Sequence, residues 1–457
     1  MKNKIKIHFI GISGIGMSGI AELMLDKGYL IQGSDLSIND NTKRLKKKGV
    51  KFFLCHNKKN VENVDVVVFS SAIKKNNPEI KAAYIKKIPV LSRADMLAEL
   101  MKNKKSIAIA GSHGKTTTTS LVGNIFSQAR LDPTIVNGGI INSFSNNNRY
   151  GKGDWMIVEA DESDGTFLKL PHQISIITNL DIEHLDFYKS KKNLMNSFEV
   201  FINMLPFYGT AIMCYDDKNL KLLINKIKTR NIITYSSKNK KADVLIFDIF
   251  QKQMKTSFKL RIKNSKINHS SNYNFTINAI GNHNILNATA SIVVAKLIGV
   301  NNSFINKALI KYIGVKRRFS LIGKKNKAFI YDDYAHHPTE IAATISAAKS
   351  LNKQVIVVFQ PHRYSRTNFL LNEFVKILSK INFLILLETY SAGEKKIKGA
   401  TSKDIFLKIL KKNKNIIYLK SITDLDKLLE EYTMKENNII FMGAGSITNI
   451  AKEYINN

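Results

Sequence analysis

A short glycine-rich segment with a lysine and several threonines has the residue types that bind a nucleoside polyphosphate. It consists of Gly111, Ser112, His113, Gly114, Lys115, Thr116 and Thr117. A predicted buried strand at 105–110 precedes it, and a predicted helix at 116–128 follows it. Glycines let backbone N–H groups face phosphate oxygens, a lysine adds a positive charge, and a threonine hydroxyl can ligate Mg²⁺. Only two residues separate the glycines, where the common phosphate loop has four.

Acidic residues follow the predicted strand at 155–158. Four carboxylates lie between Glu159 and Asp164. Carboxylates this close repel one another unless a cation or solvent screens their charge. His184 follows the next predicted strand, which ends near residue 178. We therefore expect Glu159, His184 and Thr116 to hold a divalent metal ion, with a solvated acidic loop as the alternative.

A second glycine turn follows the predicted strand at 5–10. Gly14, Gly16 and Gly19 fit the pattern G-x-G-x-x-G at the start of a helix. This pattern indicates a diphosphate at a helix N-terminus, which either a dinucleotide such as NAD(P) or a nucleotide-sugar would supply. Tight packing of the helix on the strand is the structural alternative. The residues expected to line this site are Ser13, Gly14, Ile15, Gly16, Asp35, Ser70 and Ser71.

Charged side chains also follow predicted strands in the last third of the chain. His336 follows the strand at 328–331, and Arg363 and Arg366 follow the strand at 355–359. Arginine can bind a carboxylate or a phosphate with two parallel hydrogen bonds. Further upstream, His283 and Asn287 lie at the start of a predicted helix, where they either cap the helix or contact a purine.

The elements that must position these residues alternate between strand and helix, which predicts α/β domains with doubly wound parallel sheets. A chain of 457 residues is too long for one core. We expect three domains, at residues 1–103, 104–314 and 315–457, with a polar linker at 102–104. The segment 137–139 is predicted to be a loop.

The amino-acid composition excludes several classes of function for this chain. The formal charge is +34, from 70 basic and 36 acidic residues, but the basic residues are scattered. We therefore expect anionic small substrates and no nucleic-acid partner, although a nucleic-acid-dependent NTPase would also be basic. No apolar run reaches the roughly 18 residues of a membrane span. Two cysteines exclude a disulfide framework. We expect a cytoplasmic protein with no membrane partner.

Taken together, the motifs resemble those of the Mur ligase family along essentially the whole chain. They include GISGIGMSGIAELM at 11–24, SSAI at 70–73, RADMLAELM at 93–101, GSHGKTTTT at 111–119, EADESDGTF at 159–167, TNLDIEHLD at 178–186, GNHNILNA at 281–288, RRF at 317–319, DDYAHHPTE at 332–340, FQPHRYSRT at 359–367 and YSAGE at 390–394. The resemblance implies a Rossmann-like UDP-binding domain, a central P-loop ATPase domain and a C-terminal Rossmann-like domain.

The resemblance also implies roles for particular residues. ATP would contact Gly111, Ser112, His113, Gly114, Lys115, Thr116, Thr117, His283, Asn287 and Arg318. Mg²⁺ would be held by Thr116, Glu159 and His184. The catalytic residues would be Lys115, His184, His336, Arg363 and Arg366, of which the last three would face the reacting carboxyl and phosphate. Several members carry a carbamylated lysine about fifteen residues past the equivalent of His184, but this chain reads Ser197-Phe198-Glu199 there.

The implied reaction is ATP-dependent and joins L-alanine to the lactyl carboxylate of UDP-N-acetylmuramate through an acyl phosphate, as a step of peptidoglycan precursor synthesis. A monomer or a homodimer is expected. The alternative within the family is addition of a recycled tripeptide to the same sugar nucleotide. An NAD(P)-dependent oxidoreductase would leave the phosphate loop and the acidic segment unexplained. A folate-type polyglutamate ligase would leave the N-terminal nucleotide-sugar domain unexplained.

Overall fold

The structure is a computed structural model that describes residues 4–143, 146–227, 230–267 and 271–456. Within these ranges the strands form three sheets of five, ten and six strands. Each sheet is accompanied by helices along the chain, as the alternating pattern predicts. The chain therefore has three α/β domains.

The N-terminal sheet is parallel and has the order β3-β2-β1-β4-β5. Its strands are β1 (Lys6–Ile10), β2 (Leu30–Ser34), β3 (Lys51–Phe53), β4 (Val66–Phe69) and β5 (Val90–Ser92). Its helices are α1 (Ile15–Asp26), α2 (Asp40–Lys47), α3 (Pro78–Ile85) and α4 (Arg93–Met101), with a 3₁₀ turn at Lys58–Val61. The chain order reverses between β1 and β4, where open α/β sheets form a ligand crevice.

The central sheet has the order β15-β14-β13-β12-β11-β10-β6-β9-β7-β8. Its strands are β6 (Lys105–Ala110), β7 (Thr134–Ile141), β8 (Asn146–Arg149), β9 (Trp155–Glu159), β10 (Ile174–Ile177), β11 (Thr210–Cys214), β12 (Asn231–Ser236), β13 (Val244–Lys252), β14 (Lys255–Ile262) and β15 (Ser271–Ile277). The helices are α5 (Lys115–Gln128), α6 (Leu185–Tyr188), α7 (Lys191–Asn203), α8 (Lys218–Lys226), α9 (Asn282–Leu297) and α10 (Asn302–Ile310), with a 3₁₀ turn at Thr166–Lys169. β6 lies between β10 and β9 and pairs with both in parallel.

The C-terminal sheet has the order β16-β17-β21-β18-β19-β20 and is parallel except for the antiparallel edge strand β16. Its strands are β16 (Ser320–Lys325), β17 (Ala328–Asp333), β18 (Val355–Phe359), β19 (Phe383–Leu387), β20 (Ile416–Leu419) and β21 (Asn438–Met442). Its helices are α11 (Pro338–Lys349), α12 (Tyr364–Phe369), α13 (Leu371–Leu378), α14 (Ser402–Leu410), α15 (Leu425–Thr433) and α16 (Ile447–Asn456), with a 3₁₀ turn at Ile422–Asp424.

Strand β18 illustrates why the sequence forms a doubly covered sheet. Val355, Val357 and Phe359 are buried in one apolar cluster, whereas Ile356 and Val358 are buried in another. Successive strand residues point to opposite faces, so an uninterrupted apolar run requires helices on both sides.

The contacts divide the chain into two compact units. The first comprises Met1–Ile249, Ser257–Ile277 and Leu286–Ile313, and therefore holds the N-terminal sheet and most of the central sheet. The second comprises Phe250–Thr256, Asn278–Ile285 and Gly314–Asn457. Among the helices described, none has the length and apolar character needed to cross a bilayer.

One prediction about local structure is wrong. Residues 137–139 were expected to form a loop, but they lie inside strand β7. The pairing of β7 with β8 shifts register between Val136 and Ile141, which is a β-bulge or irregularity. The Asn-Gly-Gly sequence therefore marks a distorted strand, because glycine in a strand often allows a bulge or a close backbone approach.

Candidate active site

The phosphate loop connects β6 to α5 and depends on two glycines in the left-handed φ region. Gly111 has φ +126° and Gly114 has φ +84°. A Cβ atom on Gly111 would lie 2.3 Å from Thr178 Oγ1, and one on Gly114 would lie 2.6 Å from Asn287 Oδ1. Both glycines are therefore required by backbone conformation and by close neighbours. The loop ends at the N-terminus of α5, where backbone N–H groups favour an anion.

Side chains after β10 hold the backbone of this loop. The Asn179 amide donates to the His113 carbonyl (2.8 Å) and accepts from the His113 N–H (2.8 Å). Thr178 Oγ1 also donates to the His113 carbonyl, at 2.6 Å. The Ser112 hydroxyl accepts from the Asp181 N–H at 2.8 Å. The short loop is thus shaped by the TNLD segment, for which the sequence predicted only the end of a strand.

Lys115, the first residue of α5, is paired with a buried carboxylate. Its Nζ lies 2.6 Å from the Gly111 carbonyl oxygen and 2.8 Å from Glu162 Oε2. Burial alone would lower the pKa of the ammonium, but the carboxylates of Glu162, Asp161 and Glu159 raise it overall. Burial raises the pKa of the Glu162 carboxyl to about 7, against the opposing charge of Lys115. Lys115 therefore stays cationic, as phosphate binding requires.

Glu159, at the end of β9, reaches the phosphate loop. Its Oε1 accepts from Thr116 Oγ1 at 3.0 Å, and its Oε2 accepts from the Gly138 N–H at 2.7 Å. A Cβ atom on Gly138 would lie 2.8 Å from Glu159 Oε1. Burial raises the pKa of the Glu159 carboxyl. A carboxylate beside a hydroxyl, in a site that disfavours an uncompensated negative charge, suits a hard divalent cation.

His184 precedes α6 with φ +55° and lies in the same acidic cluster. Its Nε2 is 3.9 Å from Glu162 Oε1 and 3.7 Å from Glu183 Oε2. The neighbouring His113 Nε2 is 2.8 Å from Asp181 Oδ2 and 3.2 Å from Glu183 Oε1. The first unit thus brings the predicted His184 to the carboxylate that pairs with Lys115.

The N-terminal glycine turn connects β1 to α1. Gly14 is the N-cap of α1. Asp35, directly after β2, accepts from the Ser13 N–H at 2.9 Å, so the acidic residue braces the turn itself. The Ser70 side chain lies beside Gly11, at 3.2 Å from the position of a Cβ atom there.

Three further residues of the predicted nucleotide-sugar site lie at or near this turn. Ser71 and Ile15 are exposed, the latter at 49%. A Cβ atom on Gly16 would lie 3.3 Å from the guanidinium of Arg93, the first residue of α4. Arg93 was absent from the predicted set. The feature of the sequence that could have identified Arg93 is its position directly after a short predicted strand.

In the second unit, Glu340 on α11 joins three predicted residues. It accepts from Arg318 Nη1 at 3.3 Å and from the His336 N–H at 3.2 Å. Burial, followed by the charge of Arg318, lowers the pKa of His283 to about 4, with Glu340 opposing. His283, Arg318 and His336 therefore share one electrostatic environment. Asp333 supports this region by accepting from the Phe319 N–H, at 2.7 Å.

The two predicted arginines lie on the turn after β18. Arg363 is the N-cap of α12 and is exposed, and Arg366 lies within α12. Arg366 Nη1 is 3.2 Å from His362 Nδ1. Burial, followed by the charge of Arg366, lowers the pKa of His362 to about 4. The His362 ring stacks on Tyr390 with centroids 5.5 Å apart, which connects this turn to the loop after β19.

Three segments of the chain match family descriptions. Residues 6–105 match "Mur ligase family, catalytic domain", residues 109–295 match "Mur ligase middle domain", and residues 317–445 match "Mur ligase, glutamate ligase domain". The three matches follow the order of the three sheets.

Relatives from several bacteria are similar over nearly the whole chain. UDP-N-acetylmuramate–L-alanine ligase of Rickettsia bellii is 45% identical over 98% of this chain and 95% of its own length. The enzyme of the same name from Methylorubrum populi is 45% identical over 97% of this chain and 95% of its own length.

Solved structures are also similar to this chain over nearly its whole length. The crystal structure of UDP-N-acetylmuramate-alanine ligase from Thermotoga maritima superposes with a TM-score of 0.81 at 27% identity, covering 99% of this chain and 98% of that one. A murein peptide ligase from Psychrobacter arcticus shares the fold, with a TM-score of 0.70 at 23% identity over 99% of this chain and 98% of that one. With the three domains matched in order by one family, this chain belongs to the Mur ligase family.

Proposed function

We propose that this protein uses ATP to join L-alanine to the lactyl carboxylate of UDP-N-acetylmuramate, releasing ADP and phosphate. The observation that carries the proposal is 45% identity over 98% of the chain to enzymes named for this reaction. The phosphate loop with its buried lysine supports ATP as the donor, and the glycine turn before α1 supports a diphosphate-linked sugar as the acceptor.

ATP is proposed to bind at the phosphate loop. Its phosphates would take the place of Glu162 as the partner of Lys115, while Gly111, Ser112, His113, Gly114 and Thr117 surround them. His283, Asn287 and Arg318 are proposed to contact the rest of the nucleotide. Asn287 already lies against Gly114.

Mg²⁺ is proposed to be held by Thr116, Glu159 and His184. Their hydroxyl, carboxylate and imidazole groups fit a divalent ion, and the ion would offset charge on the transferring phosphoryl group. Thr116 would release its hydrogen bond to Glu159 so that both oxygens can face the ion.

The chemistry requires activation of a carboxylate, which is a poor acylating agent. Transfer of the γ-phosphoryl group to the lactyl carboxylate gives an acyl phosphate, and attack by the amine of L-alanine on that carbonyl releases phosphate. Lys115 would stabilise charge on the phosphoryl oxygens. Arg363 and Arg366 are proposed to bind the reacting carboxyl and phosphate with paired hydrogen bonds, and His336 to face the same groups.

UDP-N-acetylmuramate is proposed to bind at the N-terminal turn. The backbone N–H groups of Gly14, Ile15 and Gly16 would hold the diphosphate, and Ser13, Asp35, Ser70 and Ser71 would lie near the uridine. Arg93 joins this set because its guanidinium lies over Gly16 and suits the diphosphate charge.

The wider organisation is also a proposal. We propose domain boundaries at residues 1–103, 104–314 and 315–457, action in the cytoplasm where ATP is available, and a monomer or a homodimer as the working form. The longest segment of the second unit begins at Gly314, which supports the boundary near residue 315; that unit also includes Phe250–Thr256 and Asn278–Ile285.

The decisive experiment is release of phosphate from ATP by the full-length protein with UDP-N-acetylmuramate and one acceptor at a time. The acceptors are L-alanine, L-serine, glycine and the recycled tripeptide. We expect the highest kcat/KM with L-alanine and none without the sugar nucleotide. Turnover with the tripeptide but not with L-alanine would overturn the substrate assignment and favour the recycling reaction.

A further inference from the structure

The turn that carries Arg363 and Arg366 combines an unfavourable backbone conformation with a short helix. Arg363 has φ +69°, a region that residues with a side chain rarely adopt. α12 has six residues, and the Arg363 side chain makes no capping hydrogen bond to it. A short helix with an uncapped first turn is marginal unless other parts of the chain hold it. Arg366 Nη1 lies 3.3 Å from the His362 carbonyl oxygen within the turn, and the neighbouring loop supplies the remaining contacts that hold the start of α12.

Glu394, in the YSAGE segment after β19, supplies those contacts. Its Oε2 accepts from the Ser365 N–H at 3.0 Å, and its Oε1 accepts from the Ser365 hydroxyl at 2.6 Å. Ser365 lies between the two arginines. The same loop pairs with the turn through the Arg363 N–H, which donates to the Tyr390 carbonyl at 2.8 Å. Glu394 thus performs for α12 the role of an N-cap residue, although it is almost thirty positions away in sequence.

The negative charge of Glu394 also favours its contact with this turn. Partial burial would raise the pKa of Glu394, but the two hydrogen bonds from Ser365 and the charge of Arg363 lower it overall. The carboxylate is therefore ionised at neutral pH and attracts Arg363. The Glu394 carboxylate also accepts hydrogen bonds at the N-terminus of α12. An anionic ligand would therefore bind to the guanidinium groups of the arginines and not to the end of the helix.

We propose that Glu394 is a positioning residue, which holds Arg363 and Arg366 in the orientation that binds the reacting carboxyl and phosphate. The proposal rests on the proposed function, since that function assigns the arginines their role. The YSAGE segment is among the motifs that the sequence analysis identified, but the sequence predicted no role for Glu394.

The test compares Glu394→Ala, Glu394→Gln and Ser365→Ala in the full-length protein. We expect Glu394→Ala to lower kcat/KM for the acceptor amino acid at least about tenfold, as loss of charge-assisted hydrogen bonds does. The Kd of UDP, measured by calorimetry, should stay the same because the proposed diphosphate site lies in the first unit and UDP lacks the lactyl carboxylate that the arginines would bind. Glu394→Gln keeps one acceptor oxygen for the Ser365 N–H and should recover much of the loss.

Asp404→Ala is the matched control. Asp404 caps α14 through the N–H and hydroxyl of Thr401, which is the same kind of contact on another helix of the same domain. We expect it to lower the melting temperature and leave kcat/KM unchanged. An equal loss of kcat/KM in Asp404→Ala would mean that Glu394 acts only through stability, and would overturn the proposal.

A cycle of combined variants completes the test. Combined with Arg363→Ala and Arg366→Ala, Glu394→Ala should cost little more than the two arginine substitutions alone, whereas independent, multiplying losses would overturn the proposal. The two proposals fail differently. A wild-type protein without turnover on any acceptor overturns the proposed function, whereas an active wild type with an equally active Glu394→Ala variant overturns only the positioning role. The variants are assayed with whichever acceptor the wild type uses.

Discussion

The ammonium group of Lys115 lies between two carbonyl oxygens of its own loop and the carboxylate of Glu162. The carbonyls fix the position of the charge, and the carboxylate balances it. Glu162 is 2% exposed, so breaking this pair without a replacement leaves a buried charge uncompensated. If ATP binds at the phosphate loop as proposed, its polyphosphate would therefore replace Glu162 as the anionic partner of Lys115.

Replacing Lys115 by alanine should abolish nearly all turnover while leaving the affinity for UDP-N-acetylmuramate unchanged. The reason is that the phosphate loop and the N-terminal glycine turn belong to different sheets. Phosphate release measures the first effect, and calorimetry with the sugar nucleotide measures the second. An equal loss of sugar-nucleotide affinity would contradict the assignment of the two ligands to separate domains.

The sequence predicts roles only for residues whose type carries the chemistry. Lys115, Thr116 and Glu159 were identified from the sequence, and the structure places Thr116 against Glu159. Asn179 and Glu162 were not identified, because their importance comes from contacts with residues tens of positions away. An asparagine or a glutamate in a polar loop has no feature in the sequence that distinguishes a clamp from a solvated side chain.

At the scale of elements, α7 packs on the central domain through aromatic rings. Phe201 of α7 stacks on His172, with centroids 4.3 Å apart, and on Phe167. His172 is 4% exposed and its Nδ1 lies 2.8 Å from the Leu170 carbonyl oxygen. Burial lowers the pKa of His172 to about 4, with hydrogen bonds to the backbone opposing. A neutral imidazole therefore holds α7 in place.

The stability of the protein should fall as the pH is lowered, in part through His172. Its pKa is lower in the folded than in the unfolded state, so the unfolded state binds more protons between about pH 6.5 and pH 4. The contribution of His172 to the free energy of unfolding is present above pH 6.5, and it falls by about 2 kcal/mol between pH 7 and pH 5. Urea denaturation of wild type and His172→Phe at both pH values measures this. We expect the wild type to lose more stability than the variant, and an equal loss would contradict the mechanism.

Strands and helices with a strong apolar pattern were predicted close to their observed bounds, as for β18 and α5. β7 was not predicted, and its residues 137–139 were interpreted as a loop, because Asn137, Gly138 and Gly139 have low strand propensity. The strand continues there because the Gly138 N–H donates to Glu159, a contact made across the sheet. Edge strand β16 was also missed, since half-exposed residues from Ser320 to Lys325 give little apolar periodicity.

At the scale of the whole molecule, the N-terminal and central domains meet along α1 and β8. Asn146 Nδ2 donates to Glu22 at 3.1 Å, and Asn147 Nδ2 donates to the Ile15 carbonyl at 3.1 Å. A Cβ atom on Gly19 would lie 1.4 Å from Asn148 Nδ2. The third glycine of the N-terminal fingerprint is thus required by contact with the next domain, which sequence reasoning within one domain could not reveal.

Gly19→Ala should destabilise the protein, although alanine normally stabilises a helix by up to about 1 kcal/mol relative to glycine. The added methyl group overlaps Asn148, and overpacking of this kind costs about 1–3 kcal/mol. Denaturation of Gly19→Ala, Asn148→Ala and the double variant measures the effect. The double variant should be more stable than the sum of the single losses predicts, because Asn148→Ala makes room. Strictly additive losses would show that the contact does not limit packing.

The contact between α1 and β8 also bears on how such proteins can recombine. α1 begins at the N-terminal glycine turn and makes the interdomain contact along its side, so one helix carries both features. A chimera joined in the polar stretch at 102–104 would combine an α1 from one parent with a β8 from another, and their side chains would no longer match. Exchange of β7 and β8 along with the first domain would keep the partners together, so the segment that preserves this contact extends beyond the N-terminal domain.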